Sequence, residues 1–197
     1  GESGCGKTTI LDLVEKYFVE NKINYIRTRE PGGTSLGEEV RKIALTSKSN
    51  ISPMTEAFLM ATSRSQLVDE LIKPGIENSN VLTDRFVLSS LVYQGVARNL
   101  GIEIIKELND FALKDLRPDL TLYFAIDYED SLKRKQLRGS TDNIEDEDEE
   151  FHRNIHQGYE IVYNMYKNHY NIVKIDASKE VEEVFNQVME VLKIGGI

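Results

Sequence analysis

In the opening stretch GESGCGKTT, Gly1, Gly4, Gly6, Lys7 and Thr8 fall at the spacing G-x-x-x-x-G-K-[ST]. Glycines at these places let successive backbone N–H groups turn inward around an anion, and a helix starting near Lys7 adds its positive end. Lys7 can reach the β- and γ-phosphates of a nucleoside triphosphate, and the Thr8 hydroxyl can ligate Mg2+. The expected triphosphate contacts are Gly1, Glu2, Ser3, Gly4, Cys5, Gly6, Lys7, Thr8 and Thr9. Such a loop does not say what becomes of the triphosphate. The D-x-x-G and N-K-x-D segments of switch GTPases are missing, Asn21-Lys22 being followed by Ile23-Asn24. A small kinase with a second phosphate-bearing substrate fits better.

That second anion needs cations. Arg29 opens the stretch REPGGT, which also brings Glu30 and Pro31; Arg64 lies in a helical pattern; Arg85 follows Asp84 in DRFVLSSLVYQG. An arginine fork bonds two phosphate oxygens at once. Met60 stands four residues before Arg64, one helical turn away on the same face. It offers either an apolar contact for a base or a core side chain. Phe86, Ser90 and Tyr93 recur at spacings of four and three, presenting a hydroxyl and an aromatic edge where a base or sugar could lie, with Gln94 next in line. Asp84 can hold Mg2+ through water.

These residues need a frame that gathers them. Four β-branched or aromatic runs read as strands: Asn24 to Thr28, Val81 to Asp84, Leu120 to Ile126 and Asn171 to Ile175. Helical patterns lie around Thr8 to Asn21, Leu36 to Thr46, Pro53 to Lys73, Phe86 to Arg98, Ile102 to Leu116, Glu129 to Leu137, Glu149 to Asn168 and Lys179 to Lys193. Strands alternating with helices indicate an α/β fold with a parallel sheet covered on both faces, whose ligands sit at the carboxyl ends of the strands. REPGGT and DRF fall at such ends. The chain of 197 residues reads as one domain, 1–197, large enough to bury a core without disulfides.

Composition narrows the classes further. The net charge of −9 argues against a general nucleic-acid binder, and six of those nine charges come from one block, Glu145 to Glu150 (EDEDEE). That block reads as a solvated outer face, since it would repel ATP if it lay over the phosphates. Cys5 is the only cysteine, which excludes intramolecular disulfides and suits a cytoplasmic location. It reads as a small filler of the loop, with a thiol that the helix start could activate. No membrane-spanning run or signal peptide is visible.

Taken together, REPGGT at Arg29 to Thr34, Arg64-Ser65-Gln66, DRFVLSSLVYQG at Asp84 to Gly95, RPDLTLYF at Arg117 to Phe124 and IDAS at Ile175 to Ser178 resemble the thymidylate kinase family of P-loop nucleoside monophosphate kinases, over nearly the whole chain. The resemblance implies a five-stranded parallel sheet flanked by helices, a homodimer, and transfer of the γ-phosphoryl of ATP to dTMP with Mg2+. It implies that Arg29, Arg64 and Arg85 hold the dTMP phosphate, that Ser90 contacts thymine, and that Tyr93 lies where a ribose 2′-hydroxyl would clash. Arg134 resembles the arginine bordering the ATP adenine. A lid segment over 135–153 would bring Arg138 and Arg153 to the transition-state charge.

Several positions depart from the family pattern. Ser3 stands where an acid is usual, with Glu2 one place earlier; Met60 stands where phenylalanine usually stacks on thymine. In the lid and just beyond it, Asn143, Asn154 and His156 occupy positions that usually hold arginine. These departures keep open a catalytically weak nucleotide-binding protein, or a kinase of another deoxynucleoside monophosphate. A fold of this type also hangs its phosphate loop from a central strand, so about ten further residues are expected before Gly1 in the full-length protein.

Overall fold

Valine, isoleucine, threonine and tyrosine favour extended backbone, where their branched or aromatic side chains pack on a pleated surface, and the strands form where these residues gather. A computed structural model describes residues 1–138, 144 and 146–195, the side chains of 135–138 and 194 excepted. Its strands are β1 (Tyr25–Arg29), β2 (Asn80–Asp84), β3 (Thr121–Ala125) and β4 (Ile172–Asp176). β1 pairs in parallel with β2, from Tyr25 opposite Asn80 to Arg29 opposite Asp84. β3 pairs in parallel with β4, from Thr121 opposite Ile172 to Ala125 opposite Asp176. The four lie within about a residue of the runs read from the sequence. The strand expected ahead of Gly1 is not among these residues.

The helices are α1 (Lys7–Glu20), α2 (Ser35–Thr46), α3 (Pro53–Leu67), α4 (Lys73–Gly75), α5 (Val87–Ser90), α6 (Ile102–Leu113), α7 (Tyr128–Arg138), α8 (Glu149–Tyr166) and α9 (Val181–Ile194). Local chemistry starts two of them cleanly. Thr34 accepts the Gly37 N–H at the head of α2, and Ser52 accepts the Thr55 N–H ahead of Pro53 at the head of α3. Two patterns expected as single helices change pitch instead. α3 passes into a π-helical stretch over Val68–Ile72, and α5 into another over Leu91–Ala97. In the second, the Arg98 N–H bonds back to the Tyr93 carbonyl five residues earlier, so side chains after Ser90 are rephased relative to an α-helix. No helix among the described residues is long and apolar enough to cross a membrane.

The chain is described by two compact units. The first comprises residues 1–23, 118–140 and 159–197. In its core, Ile10, Val14 and Phe18 of α1 are buried at spacings of four, as are Val184, Val188 and Leu192 of α9, and Tyr123, Phe124, Ile172 and Ile175 of the β3–β4 pair. Each such side chain removed from water contributes about 1.5–3 kcal/mol. The second unit comprises 24–117 and 141–158. It carries the β1–β2 pair, with α2 and α6 packed on α3 and a core that includes Val40, Leu67, Leu91, Ile105 and Leu113.

Candidate nucleotide-binding and phosphoryl-acceptor residues

In the first unit, Gly4 (φ 87°) and Gly6 (φ 86°) take left-handed conformations, which glycine alone adopts without strain. Gly6 caps α1, whose N-terminus has no side-chain cap and no acidic residue in its first turn. Lys7 arches over the loop, its Nζ donating to the carbonyls of Gly1 (3.0 Å) and Glu2 (2.8 Å) and lying 3.5 Å from the Cys5 sulfur. A cradle of left-handed glycines, an open helix start and a lysine over it is the chemistry that fits a chain of phosphates.

The Glu2 carboxylate accepts from the hydroxyl of Ser131 in α7 at 2.9 Å. This ties it to α7. Cys5 is 2 % exposed, in keeping with a filler of the loop. Arg134 donates to the Ala177 carbonyl at 3.2 Å, which anchors it to the IDAS stretch at the end of β4.

In the second unit the register of the strands brings together residues expected to hold the acceptor. Pairing of Arg29 with Asp84 puts the start of REPGGT beside the start of DRF, and the Glu30 N–H bonds the Asp84 carbonyl at 3.0 Å. Arg85 has φ of 68°, a strained value for a side-chain-bearing residue of the kind found at binding sites. The Thr83 hydroxyl holds that turn by donating to the Arg85 carbonyl at 2.9 Å. Arg85 Nη1 then reaches the Tyr93 hydroxyl at 3.3 Å, with its guanidinium 5.1 Å from the centre of the same ring.

The glycine loop of REPGGT is tightly held. A Cβ on Gly33, whose φ is 83°, would come within 2.2 Å of the Thr28 hydroxyl oxygen, so no larger residue fits. The Gly32 N–H donates to buried Ser63 of α3 at 2.9 Å. Glu38 accepts from the Gly33 N–H at 3.0 Å and from Arg29 at 3.0 Å, and the Gly33 bond, ahead of Arg29, holds its carboxyl below the usual carboxylate range. Arg41 donates to the Pro31 carbonyl at 2.9 Å. Arg29 and Arg41 thus both flank the REPGGT loop, Arg29 through the Glu38 carboxylate and Arg41 through the Pro31 carbonyl.

Arg64 differs from this pair. It is 2 % exposed, and its Nε donates to both oxygens of buried Glu30 at 3.1 and 2.9 Å, with Nη2 on the same carboxylate. Nη1 donates to Ser90 at 3.0 Å and to Asn109 of α6, and the guanidinium lies 5.3 Å from the centre of the Phe86 ring. Burial pushes the Glu30 carboxyl up, with the charge and hydrogen bonds of Arg64 pulling it back. The resemblance implies that Arg64 holds the dTMP phosphate together with Arg29 and Arg85; in the structure its charge is compensated by buried Glu30.

Met60, at 9 % exposure, packs with Ala44 and Leu45 against Leu59 and Ile144, the core alternative left open by its spacing. Ser90 and Gln94 are both buried. Gln94 donates to Glu56 of α3 at 2.7 Å, and Glu56 is in turn held by Arg98 at 3.0 Å. Of the acidic block, Asp146, Asp148, Glu149 and Glu150 are exposed and Glu147 is half-buried. Glu147 pairs with Arg98 at 2.6 Å, and Asp148 accepts the Phe151 N–H at 2.8 Å, capping α8. Arg153 is exposed and paired with Glu149 one turn earlier. The expectations for Arg138 and Asn143 lie outside the described side chains.

Sequence reasoning missed Arg41, Glu56, Arg98 and Asn109. Asn109 left one usable sign, a polar residue four places after buried Ile105 on the apolar face of α6. No group of three or more His, Cys, Asp or Glu among the described residues could hold a metal ion.

The parallel strand pairs, the glycine cradle ahead of α1 and the arginine-rich strand ends define a P-loop α/β protein that binds phosphorylated ligands. A family model described as thymidylate kinase matches residues 1–188. A curated thymidylate kinase of Finegoldia magna is 45% identical over 195 residues, covering 98% of this chain and 95% of the relative. One from Thermoanaerobacter pseudethanolicus is 43% identical over 194 residues, covering 98% and 94%. The crystal structure of thymidylate kinase from Ehrlichia chaffeensis superposes with a TM-score of 0.76 at 26% identity, covering 98% of this chain and 95% of that one. The chain belongs to the thymidylate kinase family.

Proposed function

We infer that the protein transfers the γ-phosphoryl group of ATP to dTMP, giving dTDP and ADP. Family membership supports this reading, and one observation of the acceptor side carries it. The β1–β2 register pairs Arg29 with Asp84, the residue before Arg85, and the same unit holds Arg41 and the buried polar side chains of Arg64, Ser90 and Gln94. A nucleoside monophosphate needs both, cations for the phosphate and hydrogen-bonding groups for the base. Tyr93, fixed by Arg85, is the candidate for excluding a 2′-hydroxyl.

A dTMP phosphate oxygen attacks the γ-phosphorus as the bond to the β–γ bridging oxygen breaks and leaves with ADP. The attacking oxygen is already anionic at neutral pH, so no strong general base is needed. Rate enhancement comes from alignment and charge neutralisation. Lys7 and the N–H groups of the loop hold the ATP phosphates, while Arg29, Arg41 and Arg85 hold the acceptor. Mg2+, which neutralises phosphate charge when bound with ATP, suits the hard oxygen donors of Thr8 and Asp84.

We also propose a homodimer built on the second unit. Ile43 of α2, Phe58 of α3, and Ile104 and Phe111 of α6 are exposed, Phe111 by 82 %, on helices that pack against one another. Large exposed apolar side chains on neighbouring helices mark an interface.

A coupled assay with ATP, Mg2+ and each of dTMP, dUMP, dCMP and AMP tests the substrate. The reading expects dTMP to have the highest kcat/KM, and preference for any other acceptor overturns it.

A further inference from the structure

Gln94 donates through Nε2 to Glu56 Oε1 at 2.7 Å, inside the second unit. A carboxylate held by a guanidinium only accepts, so the amide of Gln94 must turn its NH2 toward Glu56 and its carbonyl oxygen away from it. Glu56 is itself fixed. Arg98 donates to Glu56 Oε2 from Nε at 3.2 Å and from Nη2 at 3.0 Å. Arg98 is restrained in turn by Glu147 at 2.6 Å and by the Phe151 ring, whose centre lies 4.3 Å from its guanidinium carbon. Gln94 directly follows Tyr93, whose hydroxyl lies 3.3 Å from Arg85 Nη1, and it is buried in the same unit as Ser90, which accepts from Arg64.

We propose that Arg98 is a positioning residue for base recognition. By clamping Glu56 it fixes Gln94 as a hydrogen-bond acceptor, which favours a pyrimidine carrying hydrogen on N3, such as thymine, over cytosine, whose N3 is a bare acceptor. The inference rests on the dTMP reading above. A site built to accept a hydrogen bond rejects a ligand that presents a second lone pair, because one polar group is left unpaired on burial. Without the clamp the amide can rotate, and that discrimination falls.

The test compares kcat/KM for dTMP and dCMP, at saturating ATP and Mg2+, in the wild type and in Glu56→Gln and Arg98→Lys. These substitutions keep shape or charge, and circular dichroism checks that the variants are folded. Gln94→Met, which removes the acceptor, serves as the reference. Each variant is expected to lower the dTMP-to-dCMP ratio about tenfold or more, chiefly through a raised KM for dTMP. Equal losses on both substrates, with the ratio unchanged, would mean that the cluster only supports the fold, and would overturn the proposal. A wild type that prefers dTMP while both variants keep that preference defeats this inference alone. A wild type that does not use dTMP defeats the functional reading and this inference with it.

Discussion

Replacing Arg64 by alanine isolates the most deeply buried charge pair of the acceptor side. Arg64 and Glu30 each have 3 % of their side chains exposed, so the substitution leaves a buried carboxylate without its counter-ion. Breaking a buried pair in this way costs about 3–5 kcal/mol, against a total stability of roughly 5–15 kcal/mol. At roughly 2–4 °C per kcal/mol for a chain of this size, the melting temperature should fall by about 6–20 °C. The loss depends on pH. Burial already raises the Glu30 carboxyl above 4.5, and without Arg64 it rises further. A carboxyl whose folded pKa exceeds its unfolded value favours the folded state below the unfolded value and loses that contribution as pH rises. The deficit against the wild type should therefore be larger at pH 8 than at pH 5. Adding Glu30→Gln removes the stranded charge and should recover part of the loss. Urea unfolding followed by circular dichroism at both pH values measures all three quantities. A single-variant loss below about 1 kcal/mol, or a double variant no more stable than Arg64→Ala, would refute the buried-pair reasoning.

Three further outcomes follow from the same geometry. Arg85→Ala should lower kcat/KM for dTMP by roughly a hundredfold or more while leaving the affinity for an ATP analogue unchanged; an equal loss of ATP affinity would place Arg85 with the donor. Buried Cys5 should resist iodoacetamide in the folded protein and react once it is unfolded in urea, as read by mass spectrometry; rapid labelling of the folded protein would contradict its enclosure in the loop. Phe111→Glu should convert a dimer to a monomer in light scattering behind size exclusion, and an unchanged mass would remove α6 from the interface.

The parts that were legible in the sequence are those whose cause is local. The strands follow from short β-branched and aromatic runs, and the loop from three glycines spaced ahead of Lys7, because each needs only its own residues to adopt its backbone. The rest depends on side chains that meet across long stretches of chain. Arg64 looks like an uncompensated cation on its helix until the fold brings Glu30, 34 residues earlier, against it. Glu147 looks like one of six solvated acids until Arg98 arrives beside it. The π-helical stretch after Ser90 defeats a reading by α-helical periodicity, since an apolar pattern alone does not reveal a change of pitch. Met60 shows the same limit, because spacing of four from Arg64 fits a binding face and a core face equally well.

The most direct test of phosphoryl transfer is phosphorus-31 NMR of the protein with ATP, Mg2+ and dTMP. The account expects the α- and β-phosphate resonances of dTDP to grow in step with those of ADP, without matching release of inorganic phosphate. Binding of dTMP with no dTDP formed, or ADP appearing with inorganic phosphate alone, would contradict it.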